Sequence, residues 1–416
     1  MEIGDKIKYY RKQKGLSQEE LAMDICTRSY LSKIENNVAK PHQNTINLLF
    51  QKLGVPSTEA ATINTEEING KLYEWYEIIK SRDNDKARKL EVSINEEIFK
   101  LDDLTTFIQY QLFSLRYQLL LRNMNESKQL ILKLESVENH LSEKQKYYFY
   151  YFYGLYKYIQ DDFIDSLEYY SKAEKIDQQI HINEPDLFYL LSLVHSRLYH
   201  ISLSIHYANM ALTGFNHDLD YMKIIETRSI LSINYIYLEE YDKAKHHLLS
   251  SLKIAEKFND TYLKNNIYHN LGYLYSKTNN HHKAIDYYFK SMNLKKGEIE
   301  KVTNTIYYLT ESYFALNQIN AAEEWLEKGL NIAEEKNMKS LQIKYHLLKL
   351  ERCHEKDKSL KFIEETGLTY LEEKKMWKEL SETTKILANY FANQQHYKTA
   401  YQYCCLADSN RKKIQK

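Results

Sequence analysis

The sequence predicts an all-α protein, with a small bundle of short helices at the N-terminus and a long array of helical pairs after it. Two observations support this prediction. Helix-start signals are packed into the first 55 residues, and small residues recur every 37 to 41 positions through the rest of the chain. The 416 residues include only three prolines and ten glycines, so little interrupts helix after residue 60.

Residues 17–36 contain two short helices separated by a sharp turn. Ser17 followed by Glu20 is a capping box, which predicts that a helix starts there. Thr27 is a suitable N-cap for a second helix, whose Leu31 and Ile34 share one face. Two asparagines, 36 and 37, follow this helix and favour the left-handed residue that ends it.

The outer face of the second short helix is small and polar or basic. A helix of this kind, braced by another, fits the major groove of a DNA duplex. Residues 1–60 hold nine Lys and Arg against seven Asp and Glu, so the basic excess is only two. One copy should therefore bind double-stranded operator DNA weakly and in a salt-dependent way, and we expect a homodimer.

The stretches "SQEELA" and "SYLSKIENN", followed by Pro41, resemble the helix-turn-helix domain of the Cro and lambda-repressor type over roughly the first 55 residues. That family usually has a glycine in the turn, where this sequence has Cys26. The resemblance implies that Gln18 contacts a phosphate or base. It also implies that four residues face the groove: Arg28, Ser29, Ser32 and Lys33. The alternative is that these residues are only a solvated helix face. We predict the domain over 1–60 and a linker over 61–70.

The remaining chain is predicted to be a repeat array. In "NNIYHNLGYLYSKTNNHHKAIDYYFKSMNLKK", Gly272, Ala284 and Tyr288 fall where two antiparallel helices must approach closely, and this unit resembles a tetratricopeptide repeat. The resemblance implies a right-handed α-solenoid. Small residues equivalent to Ala284 are Ala87, Ser127, Ser166, Ser204, Ala244, Ala322, Ser359 and Ala400. Residues 71–416 are thus predicted to form about nine helical pairs.

The inner wall of such a solenoid is expected to bind an extended peptide. Asparagine is informative there because its amide both donates and accepts, and so can hold a peptide backbone. The alternative is that these are ordinary surface asparagines. The candidate peptide-binding residues are Glu226, Ser229, Asn234, Asn266, His269, Asn270, Tyr273, Asn304, Tyr307, Tyr308 and Glu311. The run "YYFYYFY" at 147–153 favours packing between repeats over an aromatic wall for a ligand.

Several classes of function lack their signals. The sequence has no GxxxxGK[ST], HExxH or GxSxG motif and no EF-hand loop, so we expect no catalytic residues, metal or cofactor. The four cysteines are too few and too poorly spaced for a disulfide framework. Without a leading apolar segment or a run of eighteen apolar residues, we expect a cytoplasmic protein with no membrane partner.

The combination of a Cro-like domain with a helical-repeat array resembles the peptide-pheromone receptors of Gram-positive bacteria, the group named for Rgg, Rap, NprR and PlcR. This resemblance implies a quorum-sensing transcriptional regulator whose DNA binding is controlled by a short signalling peptide on the concave repeat surface. Two alternatives stay open. The array could capture or dephosphorylate a response regulator in sporulation-type signalling, or the regulator could respond to a protein partner alone.

Overall fold

A computed structural model describes residues 3–54, 65–98, 103–294, 302–353 and 356–414. Every regular element in these ranges is helical, and no strand occurs in them, so the predicted all-α class is confirmed. The N-terminal bundle consists of four helices: α1 (Ile3–Gln13), α2 (Gln18–Ala22), α3 (Arg28–Glu35) and α4 (Gln43–Leu53).

The predicted caps of the two short helices are confirmed. The Ser17 Oγ accepts from the Glu20 amide at 3.1 Å, and the Glu20 carboxylate accepts from the Ser17 amide at 2.6 Å. Thr27 caps α3 by accepting from the Tyr30 amide at 3.2 Å. The left-handed residue of the turn between α2 and α3 is Asp24, with φ of +65°, so the turn needs no glycine near Cys26.

A single apolar core closes this bundle. Ile7, Leu21 and Leu31 are fully buried and belong to one cluster with residues of α4. Helices α1 and α3 approach very closely, because a Cβ added at Gly4 would lie 1.8 Å from the Ile34 carbonyl oxygen. The bundle therefore fixes α3 against α1, with the polar face of α3 turned outward.

Nineteen further helices follow within the described residues, and all but α21 form consecutive pairs. Their bounds are α5 (Thr65–Lys80), α6 (Asn84–Ile98), α7 (Leu104–Leu120), α8 (Met124–Glu135), α9 (Glu143–Ile159), α10 (Phe163–Ile180), α11 (Pro185–Arg197), α12 (Ile201–His217), α13 (Tyr221–Tyr237), α14 (Tyr241–Lys257), α15 (Thr261–Lys277), α16 (His281–Asn293), α17 (Thr303–Ala315), α18 (Ile319–Glu335), α19 (Lys339–Arg352), α20 (Asp357–Phe362), α21 (Leu368–Glu373), α22 (Trp377–Asn393) and α23 (Tyr397–Ile414). A π-helical turn at Ile363–Gly367 joins α20 to α21.

The small residues chosen from the sequence lie where paired helices meet. All nine are buried, from Ala87 at 0% exposure to Ala400 at 7%. Gly272 also lies at such a crossing, because a Cβ at this position would lie 2.4 Å from the Tyr288 ring. The close helix crossing explains why only small residues fit there.

The start of the array differs from the predicted boundary. Part of the predicted linker, 61–64, lies outside the described residues, as does 55–60 at the end of the predicted first domain. Residues 65–70 are already helical, since α5 begins at Thr65. An apolar face containing Ile68 and Leu72 runs across residue 70 without a break, which explains why the helix extends so far towards the N-terminus.

Two compact units divide the chain by their contacts. One consists of Met1–Gln160 and Glu168–Ile182, and the other of Asp161–Leu167 and Asn183–Lys416. The aromatic run at 147–153 lies in the first unit, where five of its seven rings are buried. Tyr153 stacks on Tyr169 of α10 with ring centroids 4.0 Å apart. Repeat packing therefore accounts for this run.

Candidate DNA-reading face and candidate peptide groove

The outer face of α3 is accessible. Arg28, Ser29 and Lys33 are exposed and Ser32 is half-buried, while Leu31 on the opposite face is fully buried. Guanidinium, ammonium and hydroxyl groups can donate to base edges and phosphates. The four predicted residues therefore share one solvent-facing surface, and their contact with DNA stays a prediction.

Gln18 has a structural contact that the sequence did not indicate. Its amide nitrogen donates to the Glu35 carboxylate at 2.8 Å. Glu35 is 1% exposed and also accepts from Arg11, at 2.5 Å from Nε and 2.9 Å from Nη2. A buried carboxylate needs such partners, so Gln18 braces the start of α2 against the end of α3. Only its second amide hydrogen is left for a phosphate.

Six of the candidate peptide-binding residues lie close together on α15 and α17. The His269 Nδ1 lies 2.9 Å from the Thr305 hydroxyl, and its Nε2 lies 3.5 Å from the Asn304 amide nitrogen. The rings of Tyr273 and Tyr308 are 5.0 Å apart, and Tyr307 packs edge-on against Tyr308. Glu311 completes the set by accepting from the Tyr307 hydroxyl at 3.1 Å.

This face contains two half-buried charged side chains, Glu311 and Lys344. Burial raises the pKa of Glu311. The Lys344 ammonium, on α19, lies 5.7 Å from the centroid of the Tyr307 ring and 5.8 Å from that of Tyr308. Burial first, and then repulsion from Arg197, lowers the pKa of Lys344. Desolvated charges bind opposite charges on a ligand more strongly than exposed ones do.

Two candidate asparagines have free amides. Asn266 is half-buried and Asn270 is 8% exposed, and neither side chain has a hydrogen-bond partner in the part of the chain that the structure describes. An unpaired amide at the edge of a polar, aromatic face can hold a peptide backbone. Their role in binding stays a prediction.

Asn234 is a correction to the predicted set. It is fully buried, its amide nitrogen donates to the Ser204 hydroxyl at 2.7 Å, and its oxygen accepts from the Ser196 hydroxyl at 3.2 Å. Both halves of the amide are therefore used to join α13 to α11 and α12. The physical reason is register: the side chain lies on the face of α13 that packs against the preceding pair.

The two remaining candidates on α13 are half-buried. The Ser229 hydroxyl donates to the Ile225 carbonyl oxygen of its own helix at 3.0 Å. The Glu226 carboxylate lies 3.9 Å from the Lys223 ammonium, which also pairs with Asp186 at 3.0 Å. These contacts tie both side chains to local structure, and their contact with a peptide stays a prediction.

Three further residues of the second unit form a related cluster that sequence reasoning missed. The Lys378 ammonium, on α22, lies 3.5 Å from the centroid of the Tyr199 ring and 5.7 Å from that of Tyr237. The two tyrosine rings are 5.6 Å apart. The high tyrosine content was the only available signal, because these residues are about 180 and 140 positions from Lys378 and their meeting depends on the stacking of the repeats.

Across the described ranges, no helix combines the length and apolar character needed to cross a bilayer. No cluster of three or more metal-binding side chains was found in those same ranges.

Comparisons with known proteins match separate parts of the chain. A helix-turn-helix family covers residues 7–59, the N-terminal family of response regulator aspartate phosphatase H covers 62–122, and the tetratricopeptide repeat covers 223–297. The chain is 31% identical to the transcriptional activator NprA of Geobacillus stearothermophilus, over 92% of this chain and 97% of that protein.

Among solved structures, NprR in complex with its cognate peptide NprX superposes with a TM-score of 0.70 at 24% identity, over 82% of this chain and 99% of that one. A Rap protein complexed with Competence and Sporulation Factor superposes with a TM-score of 0.72 at 22% identity, over 84% and 99%. At these identities the two structures support the fold.

Proposed function

Because the chain belongs to the RNPP family, the helix-turn-helix and repeat regulators named for Rgg, Rap, NprR and PlcR, we propose that it is a cytoplasmic quorum-sensing transcriptional regulator. Its α3 helix reads promoter DNA, and a short signalling peptide binds the face formed by α15, α17 and α19. The observation that carries this proposal is one chain with both an exposed basic helix face and an aromatic face of desolvated charges and free amides.

The proposed control requires the peptide to bind one arrangement of the array better than another, since otherwise it shifts no equilibrium. In a homodimer, two recognition helices must reach half-sites about 34 Å apart. A small change in the array can therefore abolish simultaneous contact with both half-sites. The peptide could strengthen or release DNA binding by this route.

Fluorescence anisotropy with labelled promoter DNA tests the proposal. Synthetic peptides encoded beside the gene should change the Kd for the promoter at least fivefold, which is about 1 kcal/mol of coupling. Arg28→Ala should weaken binding and relax base preference, at about 1–3 kcal/mol for a base contact. Lys385→Ala, an exposed charge deletion in the array, is the matched control and should leave both unchanged. A peptide-independent Kd would contradict the proposal.

A second function is favoured by the match of residues 62–122 to the N-terminal family of response regulator aspartate phosphatase H. In this alternative, the array captures or dephosphorylates a response regulator. The double variant Arg28→Ala/Lys33→Ala separates the two functions while keeping the chain whole. A variant that no longer binds DNA but still shortens the lifetime of a response regulator's phosphate would favour the alternative.

A further inference from the structure

Tyr9 of α1 is buried by a partner outside its own bundle. It is 2% exposed, yet it is not part of the core cluster that contains Ile7, Leu21 and Leu31. Its ring packs against Phe107 of α7 with centroids 6.0 Å apart, and Tyr10 contacts the same phenylalanine at 6.0 Å. Both helices belong to the first compact unit. The DNA-reading bundle is therefore docked on the array through an aromatic contact.

A hydrogen bond makes this contact specific. The Tyr9 hydroxyl donates to the side-chain oxygen of Gln111, which lies one helical turn after Phe107 on the same face of α7. Phe107 and Gln111 are each 4% exposed. A buried amide oxygen without a donor is costly, so this bond favours one register of α1 on α7 over others. Apolar contact alone would permit the bundle to slide or rotate.

The candidate DNA-reading helix, α3 (the recognition helix), is rigidly linked to the same helix α1. The Gly4 amide donates to the Asn37 side chain just beyond α3 at 3.0 Å, and Arg11 pairs with the buried Glu35 within α3. The position of α7 thus fixes α1, and α1 fixes α3. We propose that Tyr9, with Phe107 and Gln111, is a positioning residue that transmits the state of the array to the recognition helix. The transmission rests on the proposed function, whereas the docking does not.

Nuclear magnetic resonance of the 416-residue chain tests the docking directly. In the unaltered protein the amide signals of 3–54 should have the broad lines of a 49.8 kDa chain. Tyr9→Ala should narrow these lines, because the freed bundle tumbles as a small domain. Tyr9→Phe retains the ring and should give an intermediate result. Lys12→Ala, an exposed position on α1, is the matched control and should change nothing.

Promoter binding tests the transmission. Tyr9→Ala should bind promoter DNA within about threefold of the unaltered protein but lose most of the peptide-dependent change in Kd. A merely structural role would instead weaken binding with and without peptide alike. If Tyr9→Ala unfolds the bundle, Phe107→Ala removes the contact from the array side and must give the same narrowing.

Two results would overturn the inference. Unchanged line widths in both Tyr9→Ala and Phe107→Ala would exclude docking through this contact. Narrowed lines with an intact peptide response would exclude the positioning role. A peptide response absent from the unaltered protein counts against the proposed function, while narrowed lines would still support the docking.

Discussion

Two asparagines, one on α13 and one on α15, differ in their hydrogen bonding, although the sequence predicts the same peptide-binding role for both. Asn234 is fully buried and satisfied at both ends of its amide, whereas Asn270 is 8% exposed and has no hydrogen-bond partner among the residues that the structure describes. A buried amide with both partners stabilises the fold, whereas an amide without a partner is available to bind a ligand. The residue scale thus separates a structural role from a candidate binding role.

This difference leads to paired predictions. Asn234→Ala should lower the free energy of unfolding by about 1–3 kcal/mol, because it removes the hydrogen bonds of the buried amide to the Ser204 and Ser196 hydroxyls. Asn270→Ala should leave stability within about 0.5 kcal/mol and weaken peptide binding by about 1 kcal/mol, roughly fivefold. Urea unfolding and calorimetry with the synthetic peptide measure the two effects. An unfolding change for Asn270→Ala equal to that of Asn234→Ala would contradict this assignment.

At the scale of helices, the array depends on close crossings both within a pair and between successive pairs. Gly272 on α15 leaves room for the Tyr288 ring of α16, and Gly329 on α18 does the same for Tyr345 of α19. The tyrosine hydroxyl of Tyr345 then donates to the Thr303 carbonyl oxygen at 2.8 Å. Because each glycine has no side chain, a large aromatic ring can be buried at the crossing.

Gly272→Ala should destabilise the protein by about 1–3 kcal/mol, because its Cβ would displace the Tyr288 ring from a close-packed crossing. Gly70→Ala on α5 is the matched control. An added Cβ at that exposed position meets no atom within 4 Å, so the substitution should stabilise the helix by about 0.5–1 kcal/mol. Urea midpoints shifting in opposite directions would support the assignment, and equal shifts would contradict it.

Much of this helical arrangement was predictable, because its causes are local. The capping box at Ser17 and the cap at Thr27 each act at the start of one helix. The small residues at the crossings each act within one pair of helices. The groove was predictable only in part. Lys344 and Lys378 reach aromatic rings on other repeats, and this depends on how successive pairs stack. A helical period read from sequence contains no information on that stacking.

Across the whole molecule, stability should depend on pH through three histidines, of which His195 and His346 are buried and His247 is half-buried. Burial lowers the pKa of His195, His247 and His346 to about 4. The unfolded chain takes up these protons near pH 6.5 but the folded chain does not. The free energy of unfolding is therefore highest above about pH 6.5 and decreases as the pH falls towards 4.

The melting temperature should accordingly fall between pH 7 and pH 5. His346→Asn keeps a polar atom near the Ser359 hydroxyl, which lies 3.0 Å from the His346 Nδ1, and removes the titrating ring. This variant should show a smaller fall in melting temperature over the same range. Differential scanning calorimetry at several pH values measures the slope, and an unchanged slope would exclude His346 as a contributor.

The aromatic contact between α1 and α7 changes what truncation experiments mean. A chain that begins after residue 60 lacks Tyr9 and Tyr10, so Phe107 and Gln111 would meet water instead of their partners. Such a fragment exposes a new apolar surface on α7. A protein that binds the fragment should therefore also be tested against the 416-residue chain with Phe107→Ala, which lacks the phenylalanine ring. A binding activity that appears only in the fragment is then explained by the exposed surface of α7, and not by the loss of DNA binding.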